Sequence, residues 1–226
     1  MIQNRESFLA AIAEQLQRST PLKTKPIRNY TFQPQHETLT QLTQSELIDV
    51  LVAQCANIHT NIERCTKETL ELTLQNIVDQ YGNGTMIYNN DTRFSELKLD
   101  PFLQSHAAHK WQPTQGYTNI TLAEAANIGI VVSDITLAES ATIVLQADAT
   151  KGRTISFLPE NSIAIIPKST IVPRMTQAAK ILREQSTTAS CINFISGPSN
   201  SADIELNLVV GVHGPIRMTY ILVEDF

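Results

Sequence analysis

The run Gly197-Pro198-Ser199-Asn200-Ser201-Ala202-Asp203-Ile204-Glu205, followed by Gly211-Val212-His213-Gly214-Pro215, is the densest collection of chemically capable residues in the chain. Glycine admits left-handed or cramped backbone and proline fixes it, so this segment is shaped as well as polar. Asp203 and Glu205 stand two apart and point the same way on an extended strand. Two close carboxylates can hold a cation, or raise one pKa for acid–base work. The plainer alternative has Asp203 accepting from turn amides while Glu205 faces water. His213 offers an accessible imidazole beside Gly214, or else a ring that pins the turn. Gly197, Ser199, Gly211 and Gly214 would let backbone and hydroxyl groups approach a ligand.

Two other groups belong with this loop. Glu139, with Asp134 five residues earlier, is a candidate base or nucleophile if it projects into the same crevice. The alternative is an exposed carboxylate at the end of an element. Lys151-Gly152-Arg153 forms a compact cationic turn in which Arg153 is the expected contact for a phosphate or carboxylate. Arg174 and Arg217 would add to it if the fold brings them near. The expectation is that residues 133–139, 151–153 and 197–215 converge at a sheet edge. Glu139, Asp203, Glu205 and His213 are then the catalytic candidates.

Several chemistries are not signalled. Cys55, Cys65 and Cys191 are odd in number and widely spaced, whereas iron–sulfur and zinc sites draw thiolates from close clusters. The chain is therefore expected to carry no metal and no cofactor of its own. Gly82-Asn83-Gly84 follows a helical pattern instead of opening one, so it reads as a helix stop and not a dinucleotide loop. No Walker motif, nucleophile elbow or H-E-x-x-H pattern occurs.

The elements that must position these residues alternate between helix and short Ile/Val-rich strand. A first helix over 4–17, with Asn4 as cap, carries Phe8, Leu9, Ile12 and Leu16 on one face. Pro21, Pro26 and Pro34 then punctuate an arm to residue 42, and the first helix could pair copies of the chain or remain a tail. Residues 43–226 form the main domain. Thr43-Gln44-Ser45-Glu46 is a capping box. A helix over 67–80, capped by Thr66, buries Leu70, Leu74, Ile77 and Val78 and stops at Gly82. Further helices are expected at 101–106, 120–126 and from Pro173 through Leu182. Strands are expected at 85–88, 128–132, 141–146, 163–166, 192–196 and 217–223. Residues 133–138 read as a turn, and 89–100 as a polar loop with His106 and His109 in an exposed region beyond it. This alternation means an α/β sheet covered on both faces.

The 226 residues suffice for a substantial core, with 42% hydrophobic and 17% charged residues. A net charge of −5 without a basic cluster argues against nucleic acid or an anionic membrane as partner. No apolar run reaches the roughly 18 residues of a membrane span. The charged, amphipathic first twenty residues are unlike a secretory signal, so a cytoplasmic location is expected.

The C-terminal motif GPSNSADIE and VGVHGP is similar to that of the LUD-domain family, most closely its lactate utilization protein C branch. Residues 133–145 (SDITLAESATIVL) and 152–159 (GRTISFLP) resemble other patterns of that family, as do residues 4–16 and 33–36. The resemblance spans nearly the whole chain. Ser201 stands where threonine is more usual, and Ser140-Ala141 where Thr-Gly is, which bears on any turn at 141. The resemblance implies an open, mixed α/β sheet flanked by helices, related to the sugar-phosphate isomerase and CoA-transferase folds. It also implies a component of bacterial L-lactate oxidation to pyruvate, acting as the non-cluster member beside iron–sulfur partner proteins, with a small carboxylate as its possible ligand. The alternative is an independent enzyme or sensor for a small anionic metabolite, such as a phosphosugar, acyl-CoA or folate-like compound, using the same crevice.

Overall fold

The computed structural model describes residues 4–21, 23–24, 27–187, 189–202 and 208–226. The chain divides into two compact units, Met1–Pro34 and Gln35–Phe226. The first holds helix α1 (Arg5–Gln15). Asn4 occupies its N-cap position with φ 60 and makes no side-chain cap bond, so the expected cap is not formed. Phe8, Ile12 and Leu16 are all exposed.

The second unit runs α2 (Gln44–Asn57), β1 (Asn61–Cys65), α3 (Leu70–Gln80), β2 (Met86–Tyr88), α4 (Arg93–Glu96), α5 (Asp100–Ser105) and β3 (His109–Lys110). Next come α6 (Tyr117–Ala125), β4 (Ile128–Val132), β5 (Ile135–Leu137), β6 (Thr142–Ala147), β7 (Asn161–Pro167), β8 (Ile171–Val172) and α7 (Met175–Glu184). The chain ends with β9 (Cys191–Ile195), β10 (Asn200–Ala202), β11 (Leu208–Val210) and β12 (Arg217–Val223).

Six strands form one sheet in the order β1-β12-β7-β4-β2-β3, and every pairing in it is parallel. A second sheet, β8-β5-β6-β9, mixes parallel and antiparallel pairs, and β10 and β11 form a separate antiparallel pair. The central strands of the large sheet are apolar throughout because both of its faces are covered. On β7, Ile163 and Ile165 join the core beneath α3, α4 and α5. Ala164 and Ile166 face the other core, shared with Leu51 of α2 and with Ile143 and Leu145 of β6. Val144 points the opposite way from these neighbours, onto Ala178 of α7. The second sheet is thus a layer between the main sheet and α7.

Helix starts follow local hydrogen bonding. Thr43 and Glu46 complete the expected capping box, with Glu46 Oε2 accepting from Thr43 N at 2.7 Å. By contrast, α3 opens at Leu70, later than expected. Thr69 Oγ1 accepts from Thr66 N at 3.1 Å, so Thr66 to Thr69 close a turn and Thr66 is not the cap. Gly82, with φ +90, lies just past the end of α3 as expected. Residues 135–137 are strand and not turn. Their three buried side chains sit between β6 and β8, and only Ser133 and Asp134 make the bend. His106 and His109 are half-buried instead of exposed, for their ring nitrogens bond Phe102 O and Asn119 Oδ1.

Candidate functional site

In a parallel sheet, crevices open beyond the carboxyl ends of strands, at the point where successive connections leave in opposite directions. Here that point lies between the neighbours β2 and β4. The chain leaves β2 toward β3 on one side, and leaves β4 toward β7 on the other. Asp91 and Arg93 follow the end of β2, and Ser133 and Asp134 follow β4. The turn after β6 brings in Lys151.

These residues form one ion-paired cluster. Arg93 Nη2 lies 2.6 Å from Asp91 Oδ2 and 2.7 Å from Asp134 Oδ1. Its Nη1 donates to Ser133 O at 2.9 Å. Lys151 Nζ lies 3.1 Å from Asp91 Oδ2 and 3.4 Å from Asp134 Oδ1. Asp134 Oδ2 also accepts from Gln146 N at 2.7 Å, which ties the cluster to β6. Burial alone would raise the Asp91 carboxyl, but bonds from Arg93 and the charges of Arg93 and Lys151 outweigh it and hold the pKa down to about 2. Burial works against the Arg93 guanidinium as well, yet its two carboxylates raise its pKa.

Two clefts adjoin this cluster. A narrow one of about 10 Å³ is lined by Asn89, Gln146, Lys151, Arg153, Ser156 and Asn193, among others. A wider one of about 670 Å³ shares Gln146, Ala147 and Lys151 with it and continues to Gln185, Ser186, Thr187, Ala189 and Ser190. On the other side, a cleft of about 400 Å³ shares Ser156 and Asn193 with the narrow one and is lined by Gly197, Ser199, His213 and Gly214. The narrow cleft and this one both include Asn193 of β9, the edge strand of the second sheet.

The expected site residues separate into three groups. Arg153 faces the narrow cleft, while Gly197, Ser199, His213 and Gly214 face its neighbour. Glu139 lines neither: its Oε2 is paired with Arg174 Nε at 2.9 Å beside the β5–β6 turn. Asp203 and Glu205 lie outside the described residues. Gly197 and Gly211 serve the backbone. Both have positive φ, and a Cβ on Gly197 would sit 2.4 Å from Ile58 O. Ser199 acts as a clasp, its N donating to Pro215 O at 2.9 Å and its Oγ accepting from His213 N at 3.3 Å. Arg217 lies elsewhere, bonded to Asn161.

Asp91, Arg93 and Asn89 were not anticipated, because they fell in what reads as a plain polar loop. The available signal was an Asp-x-Arg step directly after a wholly buried strand. Among the described residues no group of three or more His, Cys, Asp or Glu side chains could hold a metal ion. No helix among them is long and apolar enough to cross a membrane.

The LUD domain profile matches residues 48–223. Lactate utilization protein C of Macrococcus caseolyticus is 50% identical, with 99% of this chain and 97% of that protein covered. Lactate utilization protein C of Anoxybacillus flavithermus is also 50% identical, with coverage of 97% and 99%. A crystal structure of a DUF162 family protein from Deinococcus radiodurans shares the fold. It superimposes with a TM-score of 0.56 at 16% identity, covering 81% of this chain and 99% of that one.

Proposed function

The chain belongs to the LUD-domain family, and on that premise we propose that it serves bacterial L-lactate utilization, the oxidation of L-lactate to pyruvate. The observation that carries this reading is 50% identity along almost the full length of relatives named for that role. Within the system the chain acts as the member without an iron–sulfur centre, working beside cluster-bearing partners in the cytoplasm. Its cysteines support that division of labour. Cys55 lies in α2, Cys65 ends β1 and Cys191 begins β9, so they are dispersed over separate elements. Burial pushes the Cys55 thiol up to about 12 and the Cys65 thiol up to about 11, which disfavours the thiolate a cluster needs.

The exposed face of α1, with Phe8, Ile12 and Leu16, is the surface through which copies would pair. Among the C-terminal motif residues, His213 is the candidate for contact with a reacting group, and Asp203 and Glu205 of the same sequence motif remain candidates beside it. Glu139 is the weaker candidate, since Arg174 already engages it.

The test is growth and lactate-dependent electron transfer in cells with and without the gene. Loss of both on L-lactate, with normal growth on glucose and rescue by the wild-type chain, is expected. Unimpaired lactate growth in a strain with no second copy sinks the reading. Replacement of His213 by alanine is expected to lower lactate use without loss of folded protein, because its side chain is exposed and makes no hydrogen bond among the described residues.

A further inference from the structure

We propose that the narrow cleft between β2, β4 and β9 is a binding site for a 2-hydroxycarboxylate, with the hydroxyl held by Asn89 and Asn193 and the carboxylate by Arg153. This deepens the proposed function and rests on it for the choice of ligand class.

Asn89 is 8% exposed, and its Oδ1 is buried without a hydrogen-bond partner. Asn193 Nδ2 is likewise buried and unpartnered, although Asn193 Oδ1 accepts from Cys191 Sγ at 3.4 Å. Both residues line the same narrow cleft. A buried polar atom left unpaired costs about 1–3 kcal/mol, and of the seven such side-chain atoms among the described residues these two alone belong to residues that line this cleft. One atom is an acceptor and the other a donor. A hydroxyl is the smallest group that completes both at once, donating to Asn89 and accepting from Asn193. The free space, about 10 Å³, matches a single water-sized group.

The wider part of the ligand must then extend toward the mouth, where Arg153 stands. Its exposed guanidinium makes no hydrogen bond or ion pair among the described residues. Lys151 is committed to Asp91 and Asp134, and the four charges of that cluster sum to zero. Arg153 therefore supplies the positive charge that a carboxylate requires, and its planar fork suits that shape. Asp148, at the edge of the wider cleft, is occupied by Thr150 N, Thr150 Oγ1 and Lys151 N. It repels a second carboxylate and so favours a monoanion.

The experiment follows the side-chain amide signals of Asn89 and Asn193 by NMR while L-lactate or propionate is added to the full-length protein. Propionate keeps the carboxylate and lacks the hydroxyl. L-Lactate is expected to shift both signals, saturating on the order of 1–10 mM, as suits a ligand of its size. Propionate should bind at least about fivefold more weakly, reflecting the lost hydrogen bonds. Arg153→Gln, which alters an exposed side chain, should weaken lactate about tenfold with the fold intact. Unmoved amide signals, or equal responses to lactate and propionate, overturn the site. If those negative results accompany a clear lactate growth defect on gene deletion, the pathway role stands and only this site falls. Shifts without a growth defect support the site and remove the pathway role.

Discussion

The Arg93 guanidinium and the Asp134 carboxylate lie 2.7 Å apart although 41 residues separate them in the chain. The contact closes the seam between the ends of β2 and β4, where the sheet's connections diverge. Its side chains are only 19% and 13% exposed, so the pair is shielded from solvent and depends on complete partnering. Arg93→Met should leave Asp91 and Asp134 facing each other with only Lys151 between them. A loss of about 3 kcal/mol or more is expected from urea unfolding. A loss under about 1 kcal/mol would mean that the cluster is hydrated and structurally minor.

The depressed pKa of Asp91 sets a pH window. Its carboxyl titrates near 2 when folded, against an ordinary 3.8. Stability from this group is therefore fully present above about pH 4 and is lost as pH falls through 2. The linkage amounts to about 2 kcal/mol. Urea midpoints measured from pH 5 to pH 2 should show this decline, and Asp91→Asn should flatten part of it while lowering stability at neutral pH. An unchanged acid slope in that variant would refute the assignment.

Tyr220 joins three parts of the fold. Its hydroxyl donates to Ala141 O at 2.9 Å and accepts from Gly197 N at 3.5 Å, while the side chain is fully buried. Ala141 holds φ 47, a left-handed turn made without glycine. Tyr220→Phe removes the partner of both backbone groups, with an expected cost of about 1–3 kcal/mol. Hydrogen exchange at Gly197 should accelerate more than exchange in β4. Uniform acceleration would show that the hydroxyl does not anchor the loop.

Gly152 lies against the chain's single tryptophan. A Cβ there would come within 2.4 Å of the Trp111 ring, so Gly152→Ala must displace the indole. Trp111 Nε1 donates to Ala149 O at 3.2 Å, and that bond should be strained or lost. A shift in tryptophan emission is expected, together with weaker anion binding at Arg153. An unchanged spectrum would place the ring elsewhere.

Thiol reactivity separates the cysteines. Cys55 and Cys65 are buried, with thiols raised to about 12 and about 11, whereas Cys191 is partly accessible. At pH 8 a disulfide reagent should modify one thiol rapidly and the other two only on unfolding. Three fast equivalents would contradict the packing of α2 and β1.

What the chain alone determined is chiefly local. The capping box at Thr43, the buried stripe of α3, the stop at Gly82 and the apolar strands β4, β7 and β12 all depend on neighbours within a few residues. The glycine-rich C-terminal motif was legible for the same reason, since its φ values and close approaches demand those residue types. Tertiary structure alone decided which polar groups meet. Strand β1, with the unremarkable sequence NIERC, is a strand because β12 pairs with it along five residues. Asp91, Arg93 and Asp134 look like ordinary loop residues until β2 and β4 are laid side by side. Glu139 looks like a site residue until Arg174 arrives from the start of α7. Charge pairing across a sheet edge depends on strand order, and strand order is set by long-range burial of both sheet faces, which no local pattern encodes.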